Sequence, residues 1–213
     1  MSFDPVPARL DHLVYAVTDL DAAVDELADL LGARPSAGGR HVGRGTCNRL
    51  LSFDDGSYLE IIGVDDGQPS PDGPRPFGID LLTGPRLVTW AMRVDDIDDA
   101  VASARRHGSD PGPAQAMSRA TPDGGLLSWQ LTDAFVTGDG LVPFLIAWGD
   151  TVHPSLTATG GVRLMELTAA HPEPALVATA FAALRVTGVA VERGPRARLI
   201  ARIEGPGGSV TLT

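Results

Sequence analysis

The sequence predicts an α+β fold built from tandem βαβββ modules. Three observations support this prediction. The order strand, helix, three strands occurs twice with matching helix starts, a fainter third copy follows, and linkers rich in Gly and Pro separate the copies. The predicted boundaries are residues 1–66 for the first module, 67–85 for a linker, 86–150 for the second module, and 151–213 for a second linker with the third module.

The first module opens with a predicted strand at Leu10 to Val17, which reads LDHLVYAV. Asp19 then marks a helix start, and apolar residues recur at helical spacing as far as Leu31, where Gly32 ends the helix. Three further strands are predicted, at Arg34 to Val42, Thr46 to Phe53 and Ser57 to Val64.

The second module repeats this order, and Asp96-Ile97-Asp98 matches the helix start Asp19-Leu20-Asp21. Its elements are a strand at Leu87 to Val94, a helix to about His107, and strands near Ala114 to Ala120, Leu126 to Thr132 and Leu141 to Trp148. A turn is predicted at Ser118 to Gly124. The third copy comprises Val162 to Thr168, a helix from about Glu173 to Leu184, and strands at 188–193, 197–203 and 208–213.

Composition excludes several classes of function. The 213 residues are 43% hydrophobic and 21% charged, which is typical of a globular protein. The net charge of −10 argues against nucleic acid or an anionic membrane surface as a partner. A single cysteine, Cys47, excludes an internal disulfide, and the longest apolar runs fall far short of the roughly 20 residues that span a bilayer. No signal-peptide pattern is present, so we expect a cytoplasmic protein.

Period-two alternation predicts that His12 and Glu60 share the polar face of the sheet. On the first strand His12 lies on the face opposite Leu13, and on the fourth strand Glu60 lies on the face opposite Ile61. The apolar faces are expected to pack under the helix, which leaves His12 as the nearest expected partner of Glu60. An imidazole beside a carboxylate suits either a divalent metal or an acid–base couple, and a simple hydrogen-bonded pair is the plain structural alternative.

Further polar residues occur where they could line a ligand site. The Gly-rich segment GGRHVGRGTCN lets the backbone approach a ligand closely, although its glycines also suit a simple hairpin. An arginine offers a fork for a carboxylate and a tryptophan a flat apolar wall, while a surface arginine and a core tryptophan are the plain alternatives. The predicted substrate-binding residues are His41, Asn48, Arg93, Arg119, Trp129 and His153.

Several stretches resemble the vicinal-oxygen-chelate superfamily, the glyoxalase, bleomycin-resistance and extradiol-dioxygenase group, and in particular its glyoxalase-like domain proteins. The stretches are LDHLVYAVTDLDAAV, GGRHVGRGTCNRLLSF, YLEIIG, SRATPDGGLLSWQL and HPS, and the resemblance covers about residues 10 to 160. It implies two modules whose curved mixed sheets enclose a cleft, often with a divalent metal. It also implies that His12 and Glu60 occupy the metal-ligand positions of the first module.

The second module departs from that pattern. Its matching positions fall near Thr89 and Ile146, neither of which is a strong metal ligand, although His41 or His153 could supply a third. The expected cofactor is therefore none or a weakly bound divalent metal at His12 and Glu60.

The resemblance implies a small-molecule lyase, isomerase or dioxygenase in which Glu60 is general base or metal ligand and His12 its partner. The alternative is a non-catalytic protein that binds or sequesters a small, antibiotic-like molecule. The third module lacks a partner module, so it pairs either within the chain or across a homodimer.

Overall fold

The helices and strands form three successive groups, each with the order strand, helix, three strands, and we refer to these groups as the first, second and third modules. A computed structural model describes residues 6–120, 125–133 and 138–213. The first module contains β1 (Leu10–Ala16), α1 (Leu20–Leu31), β2 (Ser36–His41), β3 (Thr46–Phe53) and β4 (Tyr58–Val64). The second contains β5 (Arg86–Arg93), α2 (Ile97–Arg106), β6 (Gln115–Ala120), β7 (Leu126–Leu131) and β8 (Phe144–Ala147). The third contains β9 (Thr159–His171), α3 (Pro174–Leu184), β10 (Ala190–Arg193), β11 (Arg198–Gly205) and β12 (Gly208–Leu212).

Local chemistry explains where these elements begin and end. The Asp19 side chain accepts a hydrogen bond from the backbone N–H of Ala22 at 3.0 Å and so caps α1, and Gly32 ends that helix with φ of 69°. Asp96 caps α2 in the same way. Strand β8 begins at Phe144, later than predicted, because Pro143 has no N–H for the ladder. Residues 121–124 of the predicted turn lie outside the described residues.

The eight strands of the first two modules close into a ring. Neighbours in the ring follow the order β4, β1, β5, β8, β7, β6, β2, β3, and the pairing of β3 with β4 closes it. The predicted fold class, tandem βαβββ modules with curved mixed sheets, is confirmed. Alternation along each strand leaves one set of side chains inside the ring and one outside, so the ring has an interior of its own.

The third module packs on the outside of this ring, within the same chain. Strand β9 pairs in parallel with β3, and the ring of Phe181 on α3 meets the buried Trp90 of β5 edge-on at a centroid distance of 6.1 Å. Together with α1 and α2, the third module covers the outer apolar face of the ring in one continuous core. The apolar side of the third module thus finds its partner surface inside this chain.

No helix within the described ranges has the length and apolar character needed to cross a bilayer.

Candidate functional site

A cavity of about 270 Å³ occupies the interior of the ring. Both modules contribute to its wall, and apolar side chains form much of it, among them Ile62, Trp129, Phe144, Ile146 and Trp148. The linker between the two modules also reaches the cavity, through Pro76 and Phe77. Six of the predicted site residues line this space: His12, His41, Asn48, Glu60, Arg119 and Trp129.

Glu60 lies on the cavity wall as a buried carboxylate with three polar neighbours. Its side-chain Oε1 accepts a hydrogen bond of 2.5 Å from Nδ2 of Asn48. The Nε2 atom of His41 lies 3.7 Å from the same oxygen, and Nε2 of His12 lies 3.8 Å from Oε2. The expectation that His12 is the nearest partner of Glu60 is therefore wrong, because β3 brings Asn48 closer than β1 brings His12. Asn48 donates to Oε1 of Glu60 and not to Oε2.

A β-bulge in β1 turns Asp11 and His12 to the same side of the strand. Leu10 pairs with Met92 and His12 with Ala91 on β5, so Asp11 has no counterpart on the neighbouring strand. The ring nitrogen Nδ1 of His12 consequently lies 2.8 Å from Oδ1 of Asp11. Strict alternation would have placed this carboxylate on the apolar face.

The Asp11 carboxylate is fully buried and receives several hydrogen bonds. Its Oδ2 accepts from Nε of Arg93 at 2.9 Å, from Nε1 of Trp148 at 3.0 Å and from Nε2 of His153 at 3.0 Å. Burial alone would raise the pKa of Asp11, but the hydrogen bonds and charges of His12 and His153 outweigh it and hold that pKa well below its usual range.

An ionised Asp11 fixes the tautomer of His12. Because a carboxylate only accepts hydrogen bonds, Nδ1 of His12 carries a proton and donates it to Asp11 in either charge state of the ring, and Nε2 lies on the side of Glu60. Sequence reasoning missed Asp11. The feature that could have revealed it is a charged residue on a strand face expected to be apolar, where an unpaired carboxylate is costly.

Arg93 and His153 surround Asp11 and are not among the residues that line the cavity. A second residue that sequence reasoning missed, Tyr58, does line it. Its ring stacks on His12 at a centroid distance of 4.8 Å, and burial raises the pKa of its hydroxyl well above the usual value. The structure thus surrounds His12 with an aromatic face and a carboxylate.

His41 and Arg119 are two further ionisable residues in the cavity lining. Burial lowers the pKa of His41, although the charge of Glu60 opposes this, so the neutral imidazole is favoured. The Arg119 side chain is buried, and its Nη1 has no hydrogen-bond partner among the described residues. The lining thus includes two imidazoles, two carboxylates and two guanidiniums, from His12, His41, Glu60, Asp133, Arg44 and Arg119.

The donor set does not fit a tight divalent-metal site. Over the described ranges no group of three or more His, Cys, Asp or Glu side chains is arranged to hold a metal ion. In the second module, Ile146 lines the cavity but has no donor atom, and Thr89, whose neutral hydroxyl is a weak ligand, is not among the residues that line the cavity. His12 and Glu60 alone leave most of a coordination sphere to water.

Comparison with known proteins places this architecture in a family. A family model described as a glyoxalase-like domain matches residues 10–185. No curated protein matches the chain.

Solved structures share the fold at low sequence identity. A hypothetical protein from Staphylococcus aureus is 14% identical, with 96% of this chain and 98% of that chain covered and a TM-score of 0.67. Methylmalonyl-CoA epimerase from Mycobacterium tuberculosis is 20% identical, with 74% and 96% covered and a TM-score of 0.47. A Streptomyces coelicolor methylmalonyl-CoA epimerase in complex with 2-nitronate-propionyl-CoA is 18% identical, with 67% and 98% covered and a TM-score of 0.42. The Staphylococcus aureus structure shows the fold of the chain over nearly its whole length.

Proposed function

The chain belongs to the glyoxalase-like domain family of the vicinal-oxygen-chelate superfamily, and we propose that it is an acid–base enzyme of the lyase or isomerase type. Its substrate is a small molecule held in the ring cavity. Lyase and isomerase reactions that proceed by proton transfer use only groups that this chain supplies. Among the reaction types that the family suggests, they therefore suit the site best.

One observation carries the proposal: Glu60 lines the cavity as a buried carboxylate, and its Oε2 lies 3.8 Å from Nε2 of His12, which also lines the cavity. Asn48 holds the other oxygen and so orients the group. A carboxylate kept there for packing alone would be a poor choice, because Leu or Met would cost nothing to desolvate. Glu60 is thus suited to take a proton from a bound substrate and to return it at another atom.

His12 completes the acid–base pair. Its Nε2 is the nitrogen that exchanges a proton, and the imidazolium that exists while this nitrogen holds a proton is stabilised by Asp11 at Nδ1. Asp11 touches His12 and does not line the cavity, so it acts as a positioning residue. Protons move between the substrate, Glu60 and His12 with no net change in oxidation state.

Solvent-deuterium exchange tests the proposal with a panel of compounds in place of an identified substrate. Wild-type protein is incubated in D2O with small carbonyl and carboxylic compounds, and loss of C–H signals is followed by proton NMR. We expect exchange in at least one compound, and Glu60→Gln lowers that rate by roughly 10²-fold or more while the affinity for the compound changes much less. Glu192→Gln, on the exposed strand β10, is the matched control.

An exchange rate that Glu60→Gln leaves unchanged would remove Glu60 from catalysis. Binding of panel compounds without any exchange would instead favour the second candidate, a protein that binds or sequesters a small molecule. The observation that favours this candidate is the aromatic part of the cavity lining, formed by Trp129, Phe144 and Trp148. These side chains offer flat apolar surfaces for binding, but they do not act as general acids or bases.

A further inference from the structure

We propose that Arg119 forms an anion subsite in the ring cavity and that the ligand it receives is a small carboxylic acid with an apolar body. The proposal deepens the proposed function by naming a substrate class and rests on it for that role. Binding of a carboxylate at Arg119 does not depend on turnover.

Burial distinguishes Arg119 from the other arginines in the described ranges. It is the one arginine that is buried in the described part of the chain, with 6% of its surface exposed. Its Nη1 has no hydrogen-bond partner among those residues, whereas Arg93 bonds Asp11 and Arg75 bonds Asp80. A buried cation is costly unless an anion or several acceptors meet it. Arg119 also lines the cavity, so an anion bound there would meet its guanidinium.

The cavity's own carboxylates are occupied elsewhere or lie at its rim. Oε1 of Glu60 accepts from Asn48, and the ion pairs of Glu60 within 4 Å are with His12 and His41. Asp133 also lines the cavity, but it is exposed. Glu60 has no ion pair with Arg119 within 4 Å, which leaves the guanidinium available to a ligand anion.

The surroundings of Arg119 favour a carboxylate over a phosphate. A guanidinium presents two parallel N–H groups that match a carboxylate, and one positive charge balances one negative charge. The other cavity arginine, Arg44, is exposed, and its Nη2 lies 3.9 Å from the sulfur of Met117. A phosphate dianion would place a second negative charge in the space that already holds Glu60.

The rest of the wall determines the body of the ligand. Trp129, Phe144 and Ile146 give the cavity apolar surfaces, and its volume of about 270 Å³ is at the low end for small-molecule pockets, which span roughly 300–1,000 Å³. A small carboxylic acid fits this lining, because its carboxylate can bind Arg119 while its aliphatic or aromatic body packs against the apolar side chains.

Calorimetry and thermal melting of the full chain test the subsite directly. Benzoate is the main probe, with pyruvate and acetate as smaller carboxylates, and benzamide and inorganic phosphate as controls for charge and shape. We expect benzoate to bind the wild type and raise its Tm, and benzamide and phosphate to bind at least tenfold more weakly. Arg119→Met weakens benzoate binding about 10- to 100-fold, the scale of losing charge-assisted hydrogen bonds. Arg202→Met, on the exposed face of β11, leaves the affinity unchanged.

Two further measurements keep the test independent of a folding defect. Without ligand, Arg119→Met melts at or above the wild-type Tm because it removes a buried charge whose Nη1 has no hydrogen-bond partner among the described residues. Arg119→Lys keeps the charge but loses the fork, so its affinity for benzoate lies between those of the wild type and Arg119→Met.

Equal benzoate affinity in the wild type and Arg119→Met would overturn the subsite, as would equal binding of benzoate and benzamide or no binding of any of the three carboxylates. Failure of the proposed function looks different. Benzoate binding that depends on Arg119, combined with deuterium exchange that is insensitive to Glu60→Gln, would leave the subsite standing and remove the acid–base role.

Discussion

At the residue scale, Asp11 organises one side of the candidate site from outside the cavity. The bulge in β1 brings its carboxylate to the same side as His12, where it accepts from the rings of His12, Trp148 and His153 and from the guanidinium of Arg93. A buried charge that is met by this many donors is stable as the ion, and it holds each donor in place. The orientation of His12 therefore depends on Asp11 and, through it, on side chains from distant parts of the chain.

We predict that Asp11→Asn lowers the free energy of unfolding at pH 7 by about 3–5 kcal/mol, the scale of breaking a buried, hydrogen-bonded charge. Because the folded-state pKa of Asp11 lies below its unfolded value of about 3.9, the ionised carboxylate stabilises the fold above about pH 4, and this contribution is lost as the pH falls. The difference between wild type and variant should therefore shrink below about pH 4. Urea unfolding at pH 7 and at pH 3 measures it.

Asp29→Asn, at an exposed position of α1, is the matched control and should change stability by less than about 0.5 kcal/mol. Equal stability of Asp11→Asn and wild type at pH 7 would contradict the role of this carboxylate.

At the element scale, the end of α1 meets the turn between β11 and β12 with no room for a side chain. The backbone N–H of Gly207 donates to the carbonyl of Leu31 at 2.9 Å. A Cβ on Gly207 would lie 2.6 Å from the backbone nitrogen of Gly32 and 2.9 Å from the carbonyl carbon of Leu31. Since both neighbours are backbone, the contact can be relieved only if the helix and the hairpin move apart.

We predict that Gly207→Ala lowers the free energy of unfolding by about 1–3 kcal/mol, as overpacking usually does. Gly160→Ala, in β9, is the control, because a Cβ there would meet nothing within 4 Å. Urea denaturation of both variants measures the difference. If Gly207→Ala is as stable as Gly160→Ala, the docking of α1 on the third module is looser than this geometry implies.

At the scale of the whole molecule, the third module completes the core of the other two. Its strand β9 extends the sheet from β3, and Val177, Phe181 and Leu184 of α3 belong to the same apolar core as Trp90 of the ring. Without it, the part of the ring's outer face that α1 and α2 do not cover would lie exposed. Such a face far exceeds the scattered apolar residues that a soluble surface tolerates.

We predict that truncation after Asp150 yields a chain that aggregates, because the outer face of the ring loses its cover. Size-exclusion chromatography and thermal melting of the truncated and full chains measure this. Phe181→Ala in the full chain should lower stability by about 3–5 kcal/mol, whereas Leu176→Ala, which is 61% exposed on the same helix, should change it little. A truncated chain that stays monomeric and as heat-stable as the full chain would contradict the prediction.

Much of the candidate site could be predicted from alternation alone. His12 and Glu60 do lie on the concave side, and the Gly-rich segment does bring His41 and Asn48 to the same cavity. The prediction failed where the backbone leaves its regular period. The bulge at Asp11 reverses the expected side of one residue, and its sign in LDHLVYAV is a charged residue on a face expected to be apolar.

The sequence by itself determined the elements, their order and the faces of the regular strands, because capping, periodicity and proline positions act over a few residues. Only the tertiary structure decided which polar groups meet, since those contacts join residues far apart in the chain. His153 reaches Asp11 across 142 positions. Arg119 is buried on the cavity wall because β6 joins the closed ring, and its Nη1 has no hydrogen-bond partner among the described residues. The third module docks on the outside of the ring for the same reason: the apolar surface that it covers exists only after eight strands have closed.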